Sequence, residues 1–194
     1  MEKLKFVIFI LLSIFLIFFL FYLLLPSPKI SPLPQSLRSQ EEGDTWQVPG
    51  VSGYYTDLKR ADVLNYYQQS FALPFFKFLP LNYRLNQPPE YAKQVIRSEI
   101  IVSYFEEIVH PFRETLIVTG FEPSVLYKDK SGKIAQTAII VGGKNYFSKV
   151  TIRYLPTPIW KRILLFVFFL FSFGGLILIW RRILKPGWNI DEKL

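Results

Sequence analysis

Residues 6–25, FVIFILLSIFLIFFLFYLLL, and residues 163–180, ILLFVFFLFSFGGLILIW, contain no charged side chain, and their reading decides the architecture. The first run holds 18 Phe, Ile, Leu or Val residues among its 20. At roughly −0.3 to −0.6 kcal/mol for each such residue at a bilayer centre, the run favours insertion by many kcal/mol. A helical rise of ~1.5 Å per residue gives it a length of about 30 Å, the thickness of a hydrocarbon core. Together the two runs take 11 of the chain's 19 Phe residues, which explains how a 194-residue sequence is 51% hydrophobic and still carries a formal charge of +8. A simple soluble protein is excluded by this distribution.

A cleaved signal peptide is the rival reading of the first run, because Lys3 and Lys5 supply a positive segment ahead of it. The run exceeds the ~7 to 15 apolar residues of a signal peptide. Leu25-Pro26-Ser27-Pro28 also crowds proline into the place where a small-x-small cleavage site would lie. The reading is therefore an uncleaved anchor. The second run is bracketed by Trp160, Lys161 and Arg162 before it and by Trp180, Arg181, Arg182 and Lys185 after it. Amphipathic rings and long cations suit the headgroup level, so Trp160, Lys161, Arg162, Trp180, Arg181 and Arg182 are predicted interface anchors. Ser172, Gly174 and Gly175 interrupt the bulky side chains near the middle of this run and would let another helix approach closely, within the chain or in a homo-oligomer.

Both short tails, 1–5 and 181–194, are basic. The 137-residue segment between the spans has net charge +5, but a translocated segment this long is largely excluded from the positive-inside count. The sequence thus predicts a protein of the plasma (inner) membrane with both termini cytoplasmic and residues 26–162 outside. Lys161 and Arg162 at the outer end of the second span weaken that asymmetry.

Four prolines within Pro26 to Pro34, followed by polar residues, predict an extended neck over 26–43. A second short neck over 156–162 precedes span two. The intervening residues 44–155 are numerous enough for one core, and they contain no cysteine to staple it. Within them Leu58, Ala61, Leu64, Tyr67 and Phe71 recur at helical spacing behind a cap at Thr56 or Asp57. Pro88-Pro89 and the apolar positions Tyr91, Ala92, Val95, Ile96, Val102, Phe105 and Val109 predict a second, longer helix ending near His110-Pro111. Strands are expected around 51–55, 81–85, 115–121, 134–141 and 146–154, the last three as an antiparallel meander. In the final strand Tyr146, Ser148, Val150, Ile152 and Tyr154 alternate with Phe147, Lys149, Thr151 and Arg153. The expected fold class is α+β: two transmembrane helices flanking an extracytoplasmic domain with an antiparallel sheet and two main helices.

Chemistry is sparse. The lone histidine, His110, follows Glu106 by four residues, which on a helix makes at most two ligands of a metal site and fits better a cationic helix terminus before Pro111. Neighbouring Glu106 and Glu107 would point apart on a helix and could not flank one bond. Gly142-Gly143-Lys144-Asn145 lacks the spacer and the hydroxyl of a phosphate loop and reads as a hairpin turn. No cofactor and no metal site are predicted. An enzyme would require several of Glu99, Glu106, Glu107, His110 and Arg113 to converge in a deep pocket. The cations of the middle segment are dispersed, which argues against nucleic acid.

The order of basic tail, span, outward segment, Leu155-Pro156-Thr157-Pro158, second span and basic tail resembles the layout of bacterial polysaccharide co-polymerases. That resemblance implies, as an alternative, a module that binds envelope polysaccharide; the basic and aromatic surface would equally suit anionic lipid. The leading expectation is a non-enzymatic component of an envelope assembly whose partners are the bilayer and other membrane or envelope proteins.

Overall fold

The computed structural model describes residues 2–73, 81–96, 101–126 and 139–183. Residues 26–156 form one compact unit, and residues 1–25 with 157–194 form another.

The central unit contains strands β1 (Ser36–Arg38), β2 (Val51–Thr56), β3 (Tyr83–Gln87), β4 (Tyr104–His110), β5 (Glu114–Phe121), β6 (Ile139–Val141), β7 (Lys144–Tyr146) and β8 (Ser148–Pro156). Six of them make one antiparallel sheet in the order β1-β2-β8-β5-β4-β3, while β6 and β7 pair only with each other. Because β2 lies near one edge and β3 at the other, the connection between them must cross a face of the sheet. It does so with helix α2 (Arg60–Ser70), which buries Val63, Leu64 and Tyr67 there. These side chains, with Phe71 and Leu33, pack on Tyr54, Tyr104, Ile108, Leu116, Val118, Val150 and Ile152. Alternation along each strand sends these residues to one face and leaves Phe105 and Ile117 for the other, where Ala92, Ile96 and Val102 cover them. Gly120 is dictated by this packing, because the buried ring of Tyr104 lies across it and a Cβ there would stand 2.1 Å from a ring carbon.

The α+β class and the antiparallel sheet agree with the sequence reading, and α2 and the alternation of β8 lie where the periodicity places them. Three details differ. The helix expected from Pro88 to His110 is absent: Pro89–Tyr91 form a 3-10 turn, α3 (Ala92–Val95) adds one turn, and Tyr104–His110 is strand β4. Tyr104, Phe105, Ile108 and Val109 favour a pleated, buried surface, and register with β3 and β5 on both sides fixes them in it. The domain's described helices therefore comprise α2 and two four-residue helices, α3 and α4 (Pro123–Leu126), in place of two main ones. The expected meander is also replaced. β8 pairs directly with β5 through eight registered positions, and the 139–146 hairpin stands apart; residues 134–138 of the expected middle strand lie outside the described residues. Finally, α2 begins after Lys59, not at Thr56 or Asp57, and the Thr56 hydroxyl instead accepts the Leu58 N–H at 3.2 Å.

The proline-rich segment from Pro26 lies against this unit. Leu33 is buried in the core, Tyr66 donates its hydroxyl proton to the Pro32 carbonyl at 2.7 Å, and Ser36–Arg38 join the sheet as β1.

The second unit pairs helix α1 (Glu2–Leu24) with helix α5 (Ile159–Ile183). Phe19 meets Phe166 and Phe169 at centroid distances of 6.1 and 5.8 Å, and Leu23 meets Arg162, so the helices run antiparallel. Both are long and apolar enough to cross a membrane.

Candidate functional site

On α5 the predicted anchors divide into two kinds. Trp160, Lys161, Trp180, Arg181 and Arg182 are exposed, with the Lys161 ammonium 5.4 Å from the Trp160 ring centroid. Arg162 is turned inward and only 3% exposed. Its Nε donates to the Thr157 carbonyl at 2.8 Å, and its Nη1 donates to the Leu23 and Leu25 carbonyls, each at 3.4 Å. The guanidinium thus caps the C-terminal end of α1, where unpaired carbonyls and the negative end of the helix dipole attract a cation. Ser172 and Gly174 are exposed and Gly175 half-exposed, and a Cβ at either glycine would meet nothing within 4 Å. Among the described residues, the α1–α5 contacts above involve Phe19, Phe166, Phe169, Leu23 and Arg162 and none of these small residues.

Of the five polar groups whose convergence would signal catalysis, His110 and Arg113 meet at one carboxylate, while Glu106 and Glu107 lie elsewhere on β4. Glu99 lies outside the described residues. Glu106 and His110 share a face of β4 but sit four residues, about 13 Å, apart with Ile108 between them. Glu107 points to the opposite face. At the His110 end, the β4–β5 turn places His110 Nδ1 3.2 Å and Arg113 Nη2 2.9 Å from the same Glu114 oxygen, with all three residues buried. Phe71 stacks on the imidazole at 4.3 Å, Ser27 donates to the other Glu114 oxygen at 2.9 Å, and Arg113 also donates to the Pro26 carbonyl at 3.0 Å. The reading of His110 as a helix terminus is corrected by this geometry: it ends a strand and faces a carboxylate.

A second cluster straps the edge strand to the helix. Buried Glu106 pairs with Arg60 of α2 and, at 3.3 Å, with Arg84 of β3. Arg60 also lies over the Tyr104 ring at 5.1 Å and donates to Asn86 at 3.3 Å. Glu122 is buried close by. Burial raises its carboxyl above the usual range, opposed by Arg60. Burial likewise raises the Tyr104 and Tyr67 phenols far above their ordinary range.

A third cluster occupies the opposite face. Fully buried Asp44 rests on Gly53, where a Cβ would stand 2.4 Å from Asp44 Oδ2, and the Lys149 ammonium bridges Asp44 and Glu41 at 2.9 Å each. Tyr55 donates to Glu41, and that bond, with Lys149, holds the Glu41 carboxyl below the usual range. Burial, then the Glu41 hydrogen bond, raises the Tyr55 phenol.

In each cluster a buried carboxylate faces a cation, an arrangement that fixes register and packing. Among the described residues, no three His, Asp or Glu side chains gather to hold a metal ion. An open apolar groove of about 720 Å³ runs along α5 past Trp160, Leu164, Phe168 and Phe171. The surface feature that stands out on the domain is the sheet edge at β3, whose outer side pairs with no strand among the described residues. Tyr83 and Leu85 there are 46% and 39% exposed on one face, and Tyr91 and Ile101 are exposed as well. No family model, no curated protein and no solved structure matches this chain.

The sequence reading missed Arg162 as a cap and Lys149 as a bridge. Neither carries a local signal: the partners of Arg162 at the end of α1 lie 137 and 139 residues away, and Glu41 lies 108 residues from Lys149.

Proposed function

We propose that this chain is a two-pass integral protein of the plasma membrane, with both termini in the cytoplasm and residues 26–162 outside. Its α+β domain serves as a non-enzymatic docking module in an envelope or membrane assembly. The observation that carries this reading is the pairing of two bilayer-length apolar helices with a domain that neutralises its own buried charges and offers the β3 edge. An extended partner segment adding to that edge would gain main-chain hydrogen bonds, with Tyr83 and Leu85 supplying side-chain contacts.

A photo-crosslinking side chain at Leu85 in the full chain, activated in native membranes, tests this directly. The expected result is a discrete adduct, with another polypeptide or with a second copy, that disappears when the probe is moved to exposed Trp46. No adduct from Leu85, together with purification of the chain alone from mild detergent, would refute the docking role.

A further inference from the structure

The turn between β4 and β5 displays a large apolar side chain at its tip. Phe112 is 60% exposed, and its backbone is left-handed at φ 64, a conformation that bulky residues rarely adopt. The tip is braced from behind by the buried His110, Arg113 and Glu114 group. Both ends of the domain lie at this same turn: Arg113 bonds the carbonyl of Pro26, and Glu114 is in register with Pro156. Pro26 is two residues past the end of α1, and only Thr157 and Pro158 separate Pro156 from α5. Extended chain spans at most ~3.3–3.6 Å per residue, so this end of the domain is tethered within about 10 Å of both helix ends. The polar layer on one side of a bilayer is about 5–8 Å deep. Once the helices cross, these short tethers leave the tip within reach of the lipid headgroups.

We propose that Phe112 is a third membrane contact, an interfacial wedge set into the headgroup–acyl boundary that holds this end of the domain against the bilayer. The ligand is the lipid surface itself. This rests on α1 and α5 crossing a bilayer. An exposed aromatic ring gains by leaving water at that boundary, and a rigid turn carries it there with little further loss of chain entropy. Docking would fix the height at which the β3 edge is presented.

Because the chain contains no cysteine, single sites can be labelled in the whole protein. Three full-length variants carry an environment-sensitive fluorophore: Phe112→Cys, Ile140→Cys and Phe171→Cys. Ile140 is 69% exposed on the 139–146 hairpin, which joins β8 at the end opposite Pro156. Nine residues of β8 separate the two ends by about 26 Å. Phe171 is 76% exposed on α5. In vesicles of phosphatidylcholine and phosphatidylglycerol with a nitroxide high on the acyl chain, the probes at 112 and 171 should lose most of their emission and the probe at 140 almost none. Quenching at 171 without quenching at 112 would overturn the wedge and leave the spans standing. No quenching at 171 would overturn the spans and the wedge together.

Discussion

Replacing Arg162 tests whether its guanidinium joins the two apolar helices or merely marks a membrane boundary. The 2.8 Å bond to Thr157 has the length of a well-made charged hydrogen bond, and the two 3.4 Å bonds to Leu23 and Leu25 are long and weak. Only the bonds to Leu23 and Leu25 cross to α1; at the low end of the about 1.5–3 kcal/mol that a hydrogen bond to a charged group contributes, the two together stabilise the α1–α5 pair by about 3 kcal/mol. Arg162→Ala should then weaken helix pairing roughly 100-fold, at 1.4 kcal/mol per tenfold. Arg162→Lys keeps a cation near the end of α1 but loses the planar fork that reaches three carbonyls, and should weaken pairing about tenfold. The assay is energy transfer between dyes on Ile17→Cys and Phe168→Cys, both exposed positions, as dodecyl sulfate is titrated into mixed micelles. If Arg162→Ala matched the parent, or if Lys performed as well as Arg, the capping argument would fail. An anchor that simply reaches for headgroups predicts equivalence of the two cations.

Gly120→Ala drives a methyl group into the buried Tyr104 ring and should destabilise the domain by about 1–3 kcal/mol in urea titration; Tyr104→Leu in the same chain should recover part of that loss. Lys149→Met strands buried Asp44 without its cation and should cost about 3–5 kcal/mol, while Asp44→Asn combined with Lys149→Met should cost much less than the two single changes added together. For Glu122 the folded pKa is raised, so between the unfolded value and the folded one the native state binds more protons, and stability falls as pH rises through that window. Thermal melts should show Glu122→Gln more stable than the parent at neutral pH, and that part of the acid-side gain should vanish in the variant. An unchanged pH profile would contradict the assignment.

How much of this was legible in the sequence depends on how local each signal is. The two apolar runs, α2 and the alternation of β8 are written within a few turns of chain, and each stands where periodicity puts it. Even in α2 the register was only partly read, since Val63 takes the buried place assigned to Ala61. β4 misled because it is an interior strand whose two faces are both largely covered, so Tyr104, Phe105, Glu106 and Ile108 are all buried and no polar alternation survives. Its residues then continued the helical spacing begun at Tyr91, although their aromatic and β-branched character favours a strand. The ionic clusters were illegible for another reason. Glu106 is gripped by Arg60 from 46 residues upstream, and Glu114 receives Ser27 from 87 residues away. Only the topology of the sheet brings such pairs together.

The central claim is that both apolar helices cross one bilayer and leave the domain and the tails on opposite sides. Two single-cysteine variants of the whole chain address it: Trp46→Cys, at a position 72% exposed on the domain, and Lys193→Cys in the C-terminal tail. A membrane-impermeant maleimide applied to intact cells whose outer face is accessible should label the first and reach the second only after the membrane is permeabilised. Labelling of the tail in intact cells, or protection of the domain until permeabilisation, would contradict the account.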